Sequence, residues 1–141
     1  MPDKRILVVD DEPHLIRSLT YILAKEGYQV AMAVNGEDAL KQISAGKPDL
    51  IFMDIMMPKK NGYEVCEIIR RIPELNDIYI IMLSAKGWEI DRNKAISVGA
   101  NEFMSKPFSP LDVVARVKKA LNSAPSSVEV GRTDLQSSPV R

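Results

Sequence analysis

Carboxylate, hydroxyl and amine side chains that could act together in one reaction follow four short apolar runs of the sequence. Clustered carboxylates repel one another and raise each other's pKa unless a cation neutralises them, and oxygen ligands favour a hard ion such as Mg²⁺, with Mn²⁺ as an alternative. With such an ion bound, one carboxylate can attack a phosphoryl group while an amine and a hydroxyl hold the phosphoryl oxygens. The residues that predict this phosphoryl chemistry are Asp10, Asp11, Glu12, Asp54, Ser84 and Lys106.

Each of these residues also has an ordinary structural explanation when it is taken alone. Acidic residues after a strand often cap the next helix, Ser84 could be a loop hydroxyl, and Lys106 could be a solvated surface lysine. Their joint occurrence after four separate apolar runs is harder to explain in that way. We therefore favour a shared site over four independent structural roles.

The apolar runs alternate with amphipathic stretches, which predicts five strand–helix repeats. This alternation predicts an α/β fold with a doubly wound, five-stranded parallel sheet and helices on both faces. Ligands bind beyond the carboxyl ends of the strands in such sheets, which is where the polar residues lie. The predicted strands are 5–10, 28–34, 50–53, 78–83 and 102–105, and the predicted helices run from Pro13 to Gly27, from Gly36 to Gly46, along the Val65–Ile72 stripe, at about 88–98, and from Ser109 to Leu121.

Length and composition fit one soluble domain. The chain has 141 residues, 45% of them hydrophobic, and its 19 basic residues balance its 19 acidic ones. That balance argues against direct nucleic-acid binding or membrane-surface binding through bulk positive charge. The lone Cys66 cannot form an internal disulfide, and the single His14 excludes a site that needs two histidines.

The two ends of the sequence carry further expectations. The apolar run at the start is too short for a signal peptide or a membrane span, so we expect a cytoplasmic protein. Residues 1–121 are expected to form the folded domain. Residues 122–141 are rich in Ser and Pro and lack periodicity, so we expect a disordered tail or linker remnant there.

Four motifs together resemble the receiver domain of bacterial two-component response regulators. They are VVDDEP, FMDIMMP followed by NG, MLSA, and SKPF, in this order, and the resemblance covers residues 4–121. It implies the flavodoxin-like strand order 2-1-3-4-5. It also implies that Asp54 accepts a phosphoryl group from a sensor histidine kinase or a phosphotransfer protein, without the chain being a turnover enzyme.

The resemblance also implies a role for each site residue. Asp11, Asp54 and the backbone carbonyl of Met56 would bind Mg²⁺ directly, and Asp10 would hold the ion through water. The remaining two, Ser84 and Lys106, would bind the phosphoryl oxygens, and the Lys106–Pro107 peptide would be cis.

A conformational switch is implied as well. Phosphorylation would draw the Ser84 hydroxyl inward, and Phe103 would move into the space it leaves. The fourth helix, fifth strand and fifth helix would then present an active face to a downstream protein, or to a second copy in a possible homodimer.

Two positions depart from common family residues. Met56 and Lys86 stand where polar residues often tune the lifetime of the phosphorylated state. Because Met56 cannot orient an attacking water, we hypothesise a slowly self-hydrolysing phospho-Asp54, which the decay rate of a Met56→Asn variant would test. Ser84 lacks the methyl group of the commoner threonine, so its coupling to Phe103 is expected to be looser.

Three other interpretations remain open at this point. The chain could be the receiver module of a longer protein whose output domain is not in this sequence. A small Mg²⁺-dependent phosphatase is less well supported, since aspartate-nucleophile phosphatases carry a D-x-D pattern after strand one, where this chain has Asp10-Asp11-Glu12. A flavin or dinucleotide module would need a glycine-rich phosphate loop after strand one. This sequence has an acidic run at that position instead.

Overall fold

The computed structural model describes residues 4–85 and 89–122. Lys86 and all of the predicted tail except Asn122 therefore lie outside the described residues. Within the described ranges, no helix combines the length and apolar character that crossing a bilayer requires.

Five parallel strands form a single sheet. The strand order is β2-β1-β3-β4-β5, which confirms the predicted order and fold class. Each predicted strand is present, and β5 has the predicted bounds. The strands are β1 Arg5–Val9, β2 Gln29–Ala33, β3 Leu50–Asp54, β4 Tyr79–Ser84 and β5 Glu102–Ser105.

Helices connect the strands and cover both faces of the sheet. Pro13 opens the first helix, as its fixed φ favours. Gly27 and Gly99 follow the first and fourth helices with φ of 95° and 109°, a conformation that glycine adopts without strain. The helices are α1 Pro13–Lys25, α2 Gly36–Ala45, α3 Gly62–Arg71, α4 Glu89–Ser97 and α5 Pro110–Asn122, with a short 3₁₀ turn at Pro73–Leu75.

Two apolar layers hold the sheet between the helices. Side chains of α1 and α5 pack against one face, and those of α2, α3 and α4 against the other. All five residues of β3 are buried, which explains why its sequence is continuously apolar before Asp54. This central position fixes Asp54 at the middle of the sheet's carboxyl edge.

The buried face of α3 differs slightly from the predicted stripe. Val65, Cys66 and Ile69 are fully buried, whereas Ile68 and Ile72 are only half-buried. The Cys66 thiol donates a hydrogen bond to the Val98 carbonyl at 3.4 Å, and burial raises its pKa to about 11. The cysteine is therefore a small core residue.

Candidate functional site

Three carboxylates meet at the carboxyl edge of the sheet. Asp54 ends β3, and Asp10 follows β1, its neighbour in the sheet. One carboxylate oxygen from each of Asp10, Asp11 and Asp54 lies within 4.8 Å of the others. Asp10 is 0% exposed and Asp54 5% exposed, while Asp11 reaches solvent. Two buried acids thus share the site with one that solvent can reach.

Glu12 takes a different position from these three. It is the N-cap residue of α1, it is exposed, and its side chain makes no capping hydrogen bond. Its backbone N–H instead donates to Asp10 Oδ1 at 2.9 Å, which fixes the Asp10 carboxylate. The acidic run after β1 therefore supplies two acids to the site and one backbone donor.

Lys106 crosses from the end of β5 to the buried acids. Its Nζ lies 2.8 Å from Asp10 Oδ2 and 3.5 Å from Asp54 Oδ1. Burial alone would lower the pKa of Lys106, but the hydrogen bond to Asp10 and the charges of Asp54 and Asp10 raise it overall. The following Lys106–Pro107 peptide is cis, as predicted. A permanent positive charge is therefore built into the site.

The charges around Asp54 do not balance. Burial and the neighbouring Asp10 raise the pKa of Asp54 to about 6, against the opposing effect of Lys106. A single cationic side chain therefore leaves this group of acids incompletely neutralised. An ion of double positive charge would relieve the remaining repulsion.

The donor set fits a hard divalent cation. It consists of carboxylate oxygens from Asp10, Asp11 and Asp54, which suit Mg²⁺ or Mn²⁺ better than a soft metal. Met56 lies in the loop after β3, and its side chain is 72% exposed. The side chain at this position therefore does not enclose the acids.

Ser84 and Phe103 occupy the neighbouring strands β4 and β5. Ser84 is buried at the end of β4 and pairs in register with Ser105. Phe103 is half-buried and packs against the core layer beneath α4. The two predicted switch residues are thus on adjacent strands, two register positions apart.

Ser84 has a polar partner that no pattern in the sequence predicts. The Ser84 hydroxyl donates to Asp91 Oδ2 of α4 at 3.1 Å. Asp91 lies in a helix with a weak apolar pattern, so no sequence signal marks it. Only the position of α4 over the strand edge brings the two residues together.

Comparisons with known proteins are consistent with this geometry. A family model described as the response regulator receiver domain matches residues 6–118. The alkaline phosphatase synthesis transcriptional regulatory protein PhoP of Bacillus subtilis (strain 168) is 46% identical over 129 residues, which cover 89% of this chain and 53% of that protein. The chain therefore spans about half the length of this relative.

Solved structures show the same fold. The signal receiver domain of a signal transduction histidine kinase from Syntrophus aciditrophicus is 30% identical with a TM-score of 0.80, and the match covers 93% of this chain and 99% of that one. The Vibrio cholerae chemotaxis protein CheY4 is 26% identical with a TM-score of 0.81, and the match covers 85% of this chain and 100% of that one.

Proposed function

The chain belongs to the response regulator receiver domain family of two-component signalling, and from that premise we propose that Asp54 is its phosphoryl acceptor. The observation that carries the proposal is the position of Asp54. It is a buried acid at the centre of the sheet edge, with Lys106 3.5 Å away and two further carboxylates within 4.8 Å. The donor would be a phosphohistidine on a sensor kinase or a phosphotransfer protein.

Side chains of this site can perform the transfer in one displacement. A carboxylate oxygen of Asp54 attacks phosphorus, the P–O bond forms as the P–N bond to the histidine breaks, and the imidazole nitrogen keeps the electron pair. Lys106 lowers the pKa of Asp54, which favours the ionised nucleophile, and its ammonium is close enough to bind a phosphoryl oxygen.

Asp10, Asp11 and Asp54 would hold Mg²⁺ or Mn²⁺, with the Met56 carbonyl as a further ligand. The ion would supply neutralisation of the charge on the phosphoryl oxygens during the displacement. Asp10 is held by both the Lys106 ammonium and the Glu12 N–H, and the same ammonium lies 3.5 Å from Asp54 Oδ1. Lys106 therefore connects the acceptor carboxylate to a side chain that is already fixed.

The consequence of transfer would be a population shift at α4, β5 and α5. The Ser84 hydroxyl would donate to a phosphoryl oxygen, and Phe103 would follow it, favouring the arrangement that binds a downstream protein. A groove of about 730 Å³ between α4 and α5 is lined by aromatic and basic residues, among them the half-buried Phe103, Phe108 and Arg116, and such a surface would suit a protein partner or a homodimer.

We propose that the receiver unit comprises residues 1–121, with α5 continuing one residue further to Asn122. The relative from Bacillus subtilis is named as a transcriptional regulatory protein, so a receiver that controls a transcriptional output is the second candidate. Whether the receiver acts through a separate partner protein or controls a transcriptional output, the chemistry at Asp54 is the same.

Phosphoryl transfer tests the proposal directly. Each phosphoryl donor, either a radiolabelled phosphorylated histidine kinase or radiolabelled acetyl phosphate, is mixed with the chain in Mg²⁺. The chains compared are the wild type, Asp54→Asn and the control Asp77→Asn, which changes an exposed acid. We expect hydroxylamine-sensitive label on the wild type and the control, and none on Asp54→Asn. Label that persists in Asp54→Asn, or a wild type that no donor labels, would contradict the assignment.

A further inference from the structure

A hydrogen bond between Ser84 and Asp91 connects the site edge to helix α4. The hydroxyl of Ser84, 3% exposed, donates to the half-buried carboxylate of Asp91 at 3.1 Å. Ser84 is the last residue of β4, and Asp91 is the third residue of α4. Hydrogen bonds to a charged acceptor are stronger than those between neutral groups. This bond therefore holds the strand end and the first turn of the helix together.

Asp91 is also attached to α3. Its backbone carbonyl accepts a hydrogen bond from the Tyr63 hydroxyl at 3.4 Å, and the ammonium of Lys94 lies 4.6 Å from the centre of the Tyr63 ring. Among the side chains of residues 91–97 in α4, only Ala95 is buried. Asp91 therefore has polar attachments to both β4 and α3.

A serine hydroxyl has a single proton to donate. In the proposed function that proton goes to a phosphoryl oxygen on Asp54, so it can no longer go to Asp91. We propose that Asp91 is a positioning residue whose carboxylate competes with the phosphoryl group for the Ser84 hydroxyl, and thereby holds α4 in its unphosphorylated arrangement. This inference rests on the proposed function and adds the regulation of that same site.

Competition of this kind is reciprocal. A phosphoryl group that takes the hydroxyl weakens the attachment of α4, and loss of the Asp91 carboxylate lowers the cost of recruiting Ser84. A net hydrogen-bond contribution of ordinary size corresponds to a change of about threefold to tenfold in affinity. Variants at Asp91 should therefore bind a phosphoryl mimic more tightly.

The test measures beryllofluoride binding in saturating Mg²⁺ by calorimetry. Asp91→Ala is expected to bind beryllofluoride about threefold to tenfold more tightly than wild type, and the isosteric Asp91→Asn is expected to fall between them. The matched control is Asp77→Ala, because Asp77 is an exposed acid that pairs with Lys47 and lies before β4, at the opposite end of that strand from Ser84. Its affinity is expected to equal that of wild type.

A second background isolates the Ser84 contact. In Ser84→Ala the competition no longer exists, so adding Asp91→Ala should give no further gain in affinity. Hydrogen exchange gives an independent measure, since the amides of α4 should exchange faster in metal-free Asp91→Ala than in wild type.

The outcomes separate the two proposals. If wild type fails to bind beryllofluoride, or Asp54→Asn binds it equally well, the proposed function is wrong. If wild type binds but Asp91→Ala binds no more tightly, the competition is refuted. It is refuted equally if the gain persists in the Ser84→Ala background or appears in Asp77→Ala.

Discussion

Ionisation of Asp54 lowers the free energy of unfolding of the metal-free protein. Burial and the charge of Asp10 raise its pKa from 3.8 to about 6, although Lys106 acts in the opposite direction. Below both pKa values the carboxyl is neutral in the folded and unfolded chain. As pH rises between them, the unfolded chain loses its proton first, so this group makes folding progressively less favourable. The residue best placed for the chemistry therefore reduces the stability of the fold.

Asp54→Asn removes this cost. We expect the variant to be more stable than wild type at pH 7.5, by at most about 3 kcal/mol, and the difference to shrink as pH falls from 6 towards 4. Urea unfolding in EDTA at several pH values measures it, because EDTA removes the metal that would neutralise the acids.

Asp77→Asn is the control, because the pKa of Asp77 is shifted in the opposite direction to that of Asp54. A hydrogen bond from Lys47 lowers the pKa of Asp77, so its ionised form favours the folded state, and the variant should gain no stability at pH 7.5. A stability difference for Asp54→Asn that does not change with pH would show that packing, and not ionisation, is responsible.

At the scale of elements, the start of α3 is packed against the end of β3. Gly62 opens the helix, and its N–H donates to the Ile55 carbonyl at 2.9 Å. A Cβ at Gly62 would lie 2.5 Å from the backbone oxygen of Asp54. Asn61 and Glu64 form a reciprocal capping box that fixes where the helix begins. The backbone position of Asp54 thus depends on a glycine at the start of α3.

Gly62→Ala should displace the backbone at Asp54. Overpacking against rigid backbone is expected to lower stability by about 1 to 3 kcal/mol and to weaken Mg²⁺ binding. In the control Gly46→Ala, the added Cβ meets the guanidinium of Arg5, an exposed and flexible side chain that can move away. Urea unfolding and Mg²⁺ titration of both variants compare them, and equal losses of Mg²⁺ affinity would refute the link between Gly62 and the site.

The strands could be predicted because each of them is a short, continuous apolar run. Parallel strands also bring their carboxyl ends to one edge of the sheet. This was enough to predict that Asp10, Asp54 and Lys106 meet. The structure ends β1 at Val9 and β2 at Ala33, so both strands are narrower than predicted. The Val34 N–H donates to the Asp38 side chain in the first turn of α2 and not to a neighbouring strand, whereas the Asp10 N–H still donates to the Ala33 carbonyl of β2. The hydrogen bond to Asp91 was not predictable, because it depends on how α4 packs.

Helix α3 illustrates a second limit of sequence periodicity. The spacing of apolar residues located the helix but not which of them the sheet would cover. Ile68 and Ile72 share the apolar stripe, yet Cys66 takes the fully buried position. The 3₁₀ turn at Pro73–Leu75 was also missed, since Pro73 predicts the end of α3 but not the conformation of the residues after it.

At the scale of the whole molecule, the charge balance conceals an uneven distribution. The sequence has 19 basic and 19 acidic residues, yet three carboxylates meet at one edge of the sheet with Lys106 as the cation paired to the two buried ones. A ligand that binds only the folded arrangement of these acids stabilises the entire fold, because they are far apart in the unfolded chain.

Mg²⁺ should therefore shift the global unfolding equilibrium. At a concentration roughly tenfold above its dissociation constant, the expected gain is about 1.4 kcal/mol, measured by urea unfolding in MgCl₂ against NaCl of equal ionic strength. Asp11→Asn is the informative variant, because Asp11 is exposed and its replacement leaves the core intact while removing one ligand. The variant should fold at least as stably as wild type in NaCl, because it removes one of three clustered negative charges, and it should lose most of the Mg²⁺ gain. Equal stabilisation by both salts, or a full Mg²⁺ gain in Asp11→Asn, would mean that these three carboxylates do not form the metal site.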